Sequence, residues 1–354
     1  MKKGRAVFLA AIFWSMLVAC GGGGGGQNAT TPQAPPDYWG TDRYAGQLDT
    51  SLFSTLPGTA FGALSVRADE TMAAFGTSGA SAKLVFFTSG GTVSAAADIG
   101  GPLGNTVLAR KVAFSSAGAA LLYNMAPLGN LFVSVYDALG SRISAEVQAA
   151  NSADAGDIVW DGTKVVFSRV RNAPAMDPHM LFVADSGGGA PLSTTPPMAP
   201  EHILVLADGY VVAGQNRIVK YPKDITAAPS WDVPFSSGSS ATIHSVALDA
   251  GKIYAAAALD GTVAIYAFDA VSGAHIGGTN NVAIQSLGDK IRLRTGQGGN
   301  LFVSVGPRIG KVNANGAITT TTPPKVPTGE WVISGTKAYF VYGDTIQMLD
   351  LSGI

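Results

Sequence analysis

Residues 245–273 read SVALDAGKIYAAAALDGTVAIYAFDAVSG: a short apolar run, a turn at Gly251, a second apolar run, another turn, a third run, and a closing turn Asp269-Ala270-Val271-Ser272-Gly273. The same layout returns in IVWDGTKVVFSRV (158–170), ILVLADGYVVAGQNRIVKYPKD (203–224), GQGGNLFVSVGPRIGKVNANG (296–316) and WVISGTKAYFVYGDTIQMLDLSG (331–353). Equivalent turn glycines fall at Gly118, Gly162, Gly209, Gly251, Gly299 and Gly335, at intervals of 44, 47, 42, 48 and 36 residues. A period near 45 is that of a propeller blade. An earlier unit, with strands near Ala63–Ala68 and Lys83–Thr88, has the same shape if Glu70 marks its turn, which makes about seven units.

The runs are short, rich in β-branched and aromatic residues, and punctuated by Gly, Asp, Asn or Pro, so they read as strands. No long stretch keeps a helical period free of such breakers. Four short strands per unit, repeated about seven times, predict an all-β fold: a β-propeller, with a pair of β-sandwiches as the alternative. Modular repeats also explain how roughly 300 residues form one body without one oversized core. After Gly335 only 19 residues remain, too few for a full last blade. Leu52-Phe53-Ser54-Thr55-Leu56 is the segment expected to complete it.

At the N-terminus, Lys2, Lys3 and Arg5 precede an almost wholly apolar stretch, Ala6–Val18, with the layout of a secretory signal and a length too short to span a bilayer comfortably. Cys20 is the one cysteine of the chain and can form no internal disulfide. Leu17-Val18-Ala19-Cys20 resembles the lipobox of bacterial lipoproteins. That resemblance implies cleavage before Cys20, acylation of Cys20, and a membrane lipid as a partner; Gly21, where an aspartate would favour inner-membrane retention, implies the outer membrane. Two or three acyl chains suffice for stable anchoring. Gly21–Pro36, GGGGGGQNATTPQAPP, offers little to bury and is expected to be a tether spanning roughly 20 to 24 Å. The expected organisation is a signal peptide at 1–19, a lipidated cysteine and tether at 20–49, and a propeller at 50–354.

Three of the 23 basic residues lie in the signal, so the remaining chain carries 20 against 24 acidic residues. A weakly acidic body argues against nucleic acid as a partner, because phosphate binding needs a cationic stripe. The 252–273 unit resembles the repeat of quinoprotein-like propellers, in which an A-x-D-x-x-T-G turn closes the third strand; such repeats also occur in outer-membrane propeller lipoproteins of the assembly-factor type. Asp137-Ala138-Leu139-Gly140 and Asn313-Ala314-Asn315-Gly316 stand at the equivalent turn, while the tryptophan that ends the family repeat is missing after Gly273. Trp160-Asp161 and Trp231-Asp232 are WD dipeptides without the Gly-His partner of WD repeats.

Catalytic quinoproteins resemble one another in an adjacent cysteine pair, which this chain lacks, so no quinone or other cofactor is expected. The sequence also lacks a G-x-S-x-G turn, an H-E-x-x-H helix, an EF-hand loop and a P-loop. His179, His202, His244 and His275 have no metal-ligand spacing and read as surface or turn residues; Asp154, Asp157 and Asp161 read as turn and loop residues, and no metal site is expected. Lys290, Arg292 and Arg294 alternate with Ile291 and Leu293, which on a strand puts the cations on one face. They are candidate ligands for a carboxylate, phosphate or acidic sugar if the strand lines the central channel or its rim, the alternative being a solvated strand face or ion pairs with aspartates from a neighbouring blade. The function expected is that of an outer-membrane-anchored, non-enzymatic surface for an envelope protein or glycan; the alternative is a polysaccharide lyase or hydrolase on the same scaffold.

Overall fold

In Gly118–Ala126, residue after residue is buried, the pattern of a strand packed on both faces. The computed structural model describes residues 51–352 apart from 80, 101–105, 128, 145–146, 151–152, 172–177, 236–241, 260–261, 283–290, 297–298, 306–307, 313–317 and 322–329. The described chain opens with β1 (Ser51–Thr55). Blade 1 is β2 (Ala60–Val66), β3 (Met72–Ser78), β4 (Ser81–Phe87) and β5 (Val93–Ile99); blade 2 is β6 (Thr106–Ser115), β7 (Gly118–Ala126), β8 (Asn130–Tyr136) and β9 (Val147–Ala150). Blade 3 is β10 (Ala153–Asp161), β11 (Lys164–Arg171), β12 (Met180–Asp185) and β13 (Leu192–Thr194); blade 4 is β14 (His202–Leu206), β15 (Gly209–Gly214), β16 (Arg217–Pro222) and β17 (Trp231–Pro234). Blade 5 is β18 (Thr242–Asp249), β19 (Lys252–Leu259), β20 (Thr262–Asp269) and β21 (His275–Val282). Blade 6 is β22 (Ile291–Thr295), β23 (Leu301–Val305), β24 (Arg308–Val312) and β25 (Ile318–Thr321), and the last strands are β26 (Trp331–Ser334), β27 (Lys337–Tyr342) and β28 (Thr345–Asp350).

Each of the first six blades is an antiparallel meander in chain order, and the seventh runs β26-β27-β28-β1. The result is a seven-bladed propeller of four-stranded blades. The predicted closure is therefore observed: Ser51 faces Met348 and Thr55 faces Thr345 across the β1–β28 pair. Beyond the ladder, the Leu56 and Phe61 N–H groups donate to the Asp344 and Gly343 carbonyls at 2.9 Å.

The core is divided among the blade interfaces. Along β7, Ala119, Leu121, Tyr123 and Met125 pack with blade 1, while Ala120 and Leu122 pack with blade 3. In β15, Tyr210 and Val212 face blade 3, and Val211 and Ala213 face blade 5. Further clusters join blades 5 and 6, 6 and 7, and 7 and 1. In β7 and β15 the period of two thus supplies two neighbouring interfaces at once. At the seam, the Phe53 ring lies edge-on to Tyr339 at 5.1 Å and to Phe87 at 6.4 Å.

The turns explain the repeat spacing. Gly118, Gly162, Gly251, Gly299 and Gly335 all have positive φ, and Glu70, at the equivalent place in blade 1, takes a φ of 62° although it is not glycine. Its carboxylate accepts from Lys337 Nζ of blade 7 at 2.7 Å, a contact that glycine could not make. The Asp137 and Asp269 carboxylates each accept two backbone N–H groups within their own turns. The Asn313–Gly316 turn lies outside the described residues. A tryptophan does dock on the 252–273 repeat, but from the preceding blade: a Cβ placed on Gly273 would stand 2.8 Å from the Trp231 ring. The other WD dipeptide is also a blade-to-blade staple, since Trp160 Nε1 donates to the Ala113 carbonyl and Asp161 accepts from Tyr210 and Lys223.

Phe53→Ala should lower stability by about 2–3 kcal/mol, because it removes the aromatic ring that seals the seam. Deleting residues 50–57 should cost more, through the lost strand pairing. Thermal melts of both variants check this, and a deletion that melts with the parent would contradict closure by β1.

Candidate functional site

The first strands of the seven blades, β2, β6, β10, β14, β18, β22 and β26, surround a cavity of about 490 Å³ at the axis. Each blade brings a residue to it: Ser65, Lys111, Asp157, His202, His244, Arg292 and Glu330. Three of these strands carry bulges beside or at the residue they contribute. The register slips between Ala109 and Lys111, between Ala155 and Ile158, and between Ile243 and Ser245, which is where His244 sits. Bulges re-aim side chains in this way. In β10 the bulge requires glycine, since a Cβ on Gly156 would run into Ser168 Oγ and the Pro200 carbonyl, which are themselves bonded at 2.6 Å.

Adjacent blades are also tied by polar contacts near the axis. Ser65 Oγ accepts from Phe114 N, Asp157 Oδ2 from Ile203 N, and Ser245 Oγ from Leu293 N. Asp157 Oδ1 accepts from its neighbour Ile158 N at 3.0 Å, so both carboxylate oxygens hold backbone groups. Burial pushes Asp157 above its ordinary value, against the attraction of Lys111 and these donors.

Glu330 is the electrostatic centre. Its Oε1 accepts from Lys111 Nζ at 2.7 Å; its Oε2 accepts from Arg294 Nη2 at 3.0 Å and lies 3.4 Å from Arg292 Nε. Burial alone would raise this carboxyl, but Lys111, Arg294 and Arg292 outweigh it and hold it well below the usual carboxylate range. Arg294 also donates to the Trp331 and Leu293 carbonyls and lies over the Trp331 ring at 5.9 Å. Burial, reinforced by Lys111 and Arg294, pulls His202 down to about 3. Burial also lowers His244. Both imidazoles are neutral at neutral pH.

Of the three cations singled out in the sequence, Arg292 and Arg294 line the cavity while Ile291 and Leu293 are buried behind them, as strand alternation requires. Both arginines meet a carboxylate from the neighbouring blade, Glu330, which the sequence reading had not identified. Lys290 and Cys20 lie outside the described residues. The histidines divide. His179 and His275 do lie near turns, the former accepting from Arg171 N and the latter against Phe268, but His202 and His244 are axial residues rather than surface ones. Asp154, Asp157 and Asp161 belong to a strand rather than a turn or loop, and Asp157 enters the cavity. Among the described residues, no group of three or more His, Cys, Asp or Glu is placed to hold a metal ion.

A signal for the missed residues does exist in the sequence. Ser65, Asp157 and Glu330 precede their turn residues Glu70, Gly162 and Gly335 by five positions; Lys111, His202, His244 and Arg292 precede theirs by seven. A difference of two leaves a strand residue on the same face.

Acid should destabilise the fold in two stages. His202 has a folded value below its ordinary 6.5, so the unfolded chain binds the extra proton and stability falls as pH drops from about 6.5 toward 3. Glu330 is depressed, so its contribution is complete above the ordinary carboxylate range and is lost only as pH falls through its lower folded value. His202→Gln should flatten the fall between about pH 6.5 and 4, whereas Glu330→Gln should cost about 3–5 kcal/mol already at neutral pH. Denaturant unfolding across pH reads both effects.

No protein-family model matches the sequence, and no curated protein does. Solved structures do. Catalytically inactive H270A virginiamycin B lyase from Staphylococcus aureus, with quinupristin, is similar at 13% identity and a TM-score of 0.61, over 84% of this chain and 97% of that one. The Cps50 (Swd1) propeller domain from Myceliophteria thermophila is similar at 12% identity and 0.60, over 86% and 100%. BamB from Moraxella catarrhalis is similar at 15% identity and 0.51, over 85% and 99%. At these identities the likeness is one of fold: this chain is a β-propeller of the kind that all three share.

Proposed function

We propose that this chain is an outer-membrane lipoprotein, held by acyl chains on Cys20, whose propeller serves as a binding or scaffold surface for a protein or glycan partner in the cell envelope. The observation that carries binding over catalysis is the state of the axial carboxylates. A carboxylate acts as general acid or base when it is within hydrogen-bond reach of the substrate and is not held by structural partners. Both oxygens of Asp157 hold backbone N–H groups, and both oxygens of Glu330 are ion-paired. With both carboxylates committed to structural bonds, the axial groups left over are Arg292, His202 and His244, which we read as recognition groups; a hydrolase or lyase reading would have to use the two histidines. The fold is shared with BamB, which suits the envelope reading, and with a lyase, so the choice rests on the side chains.

The anchoring half rests on Leu17-Val18-Ala19-Cys20 and its basic and apolar prelude. Since Cys20 lies well before β1, the lipid and the fold are separable. Cys20→Ala should leave the thermal melt of the propeller unchanged, abolish palmitate labelling, and release the protein from the membrane fraction or trap it as precursor. A variant that keeps both full membrane attachment and mature size would contradict the lipoprotein reading.

A further inference from the structure

We propose that the axial cavity binds a small oxyanion carried on a hydroxylated skeleton, a sugar acid or sugar phosphate, with the Arg292 guanidinium as anchor and His244 and His202 as hydroxyl partners. The inference rests on the propeller being a binding module and is independent of its anchoring.

The two axial arginines differ in what they leave unused. Arg294 is committed through Nε, Nη1 and Nη2 to two carbonyls and Glu330. Arg292 meets Glu330 only through Nε, at 3.4 Å, longer than a charge-assisted hydrogen bond. Its two terminal nitrogens have no protein partner among the described residues, although the side chain is only 20% exposed. A guanidinium in this position presents two parallel N–H donors, the geometry that matches one carboxylate or phosphate. The arginine is nearly enclosed, so burial disfavours its charge, and an anion on the open edge would restore what the protein leaves out.

The charge count points the same way. Lys111, Arg292 and Arg294 face two carboxylates, of which Asp157 is spent on backbone groups. The cavity therefore keeps a cationic excess inside low-dielectric walls, which concentrate its field. The histidines define the rest of the ligand. A neutral imidazole offers one donor and one acceptor, a pair suited to hydroxyl groups and not to further negative charge. His202 and His244 both line the cavity, and His244, carried inward by its bulge, has no hydrogen-bond partner among the described residues. A volume of about 490 Å³ suits a ligand of one or two sugar rings.

Calorimetric titration of the full-length protein in detergent tests this with glucuronate, glucose 6-phosphate, inorganic phosphate and neutral glucose as probes. Saturable binding of glucuronate or glucose 6-phosphate, at least about tenfold tighter than glucose or inorganic phosphate, is expected, and the tighter of the two identifies the anionic group. Arg292→Gln should weaken it at least tenfold and His244→Ala severalfold, both with parental melting curves. If Arg292→Gln loses its fold, His244→Ala and the salt dependence of wild-type binding carry the test. Equal binding of glucose, or unchanged affinity in a folded Arg292→Gln, would overturn the proposal. So would the absence of binding by every probe; if crosslinking on cells then captured a stoichiometric protein partner, the binding-module reading would stand without this ligand.

Discussion

A blade of this protein cannot be stable alone, because its middle strands are apolar on both faces. β7 presents Leu121 and Tyr123 to one neighbour and Leu122 to the other, and β27 divides Phe340 and Tyr339 in the same way. Each sheet therefore needs two partners, and the arrangement ends only when the last blade meets the first. That requirement makes the β1 strand decisive, since it completes blade 7 and sets Phe53 against both Tyr339 and Phe87. It also rigidifies the axis. Six of the seven first strands are set into two apolar interfaces and β22 into one, and together they hold their side chains in a ring that no single sheet could maintain.

The fold was legible because turn chemistry repeats more faithfully than strand chemistry. Positive φ selects glycine in the first hairpin of most blades, and an aspartate that folds back on its own turn marks the third strand at Asp137 and Asp269. Even Glu70, the exception, was identified as a turn residue by its spacing, and its retention there is explained by the ion pair with Lys337. The tryptophans were harder to interpret. Trp231 docks on Gly273 across a blade boundary, so a repeat read one unit at a time finds the tryptophan absent where the fold supplies it from next door.

The site was only half legible, for a related reason. Alternation along one strand identified Arg292 and Arg294 as residues sharing a face, because that inference is local. His202, His244, Asp157 and Glu330 have unrelated chemistry and lie in different blades, so nothing local connects them. Only their offsets of five or seven residues from the turns do, and bulges in β6, β10 and β18 obscure the strand phase by an extra residue beside or at the positions that reach the axis. Scattered histidines are ordinarily surface residues; here a ring of seven strands brings two of them within one cavity.

Arg292 and Arg294 show how a symmetric scaffold yields unequal side chains. They are two residues apart on β22, face the same way and share Glu330. Yet Arg294 finds the Trp331 and Leu293 carbonyls and the Trp331 ring, while Arg292 finds only one edge of the carboxylate. Burying a charge is costly in proportion to the contacts it loses and does not regain. Arg294 regains them from the protein, so its charge is a structural bond between blades 6 and 7. Arg292 does not, so the same side chain two positions earlier remains open for recognition. Its role follows from the number of acceptors its neighbours leave within reach, which the neighbouring blade sets and the repeat does not.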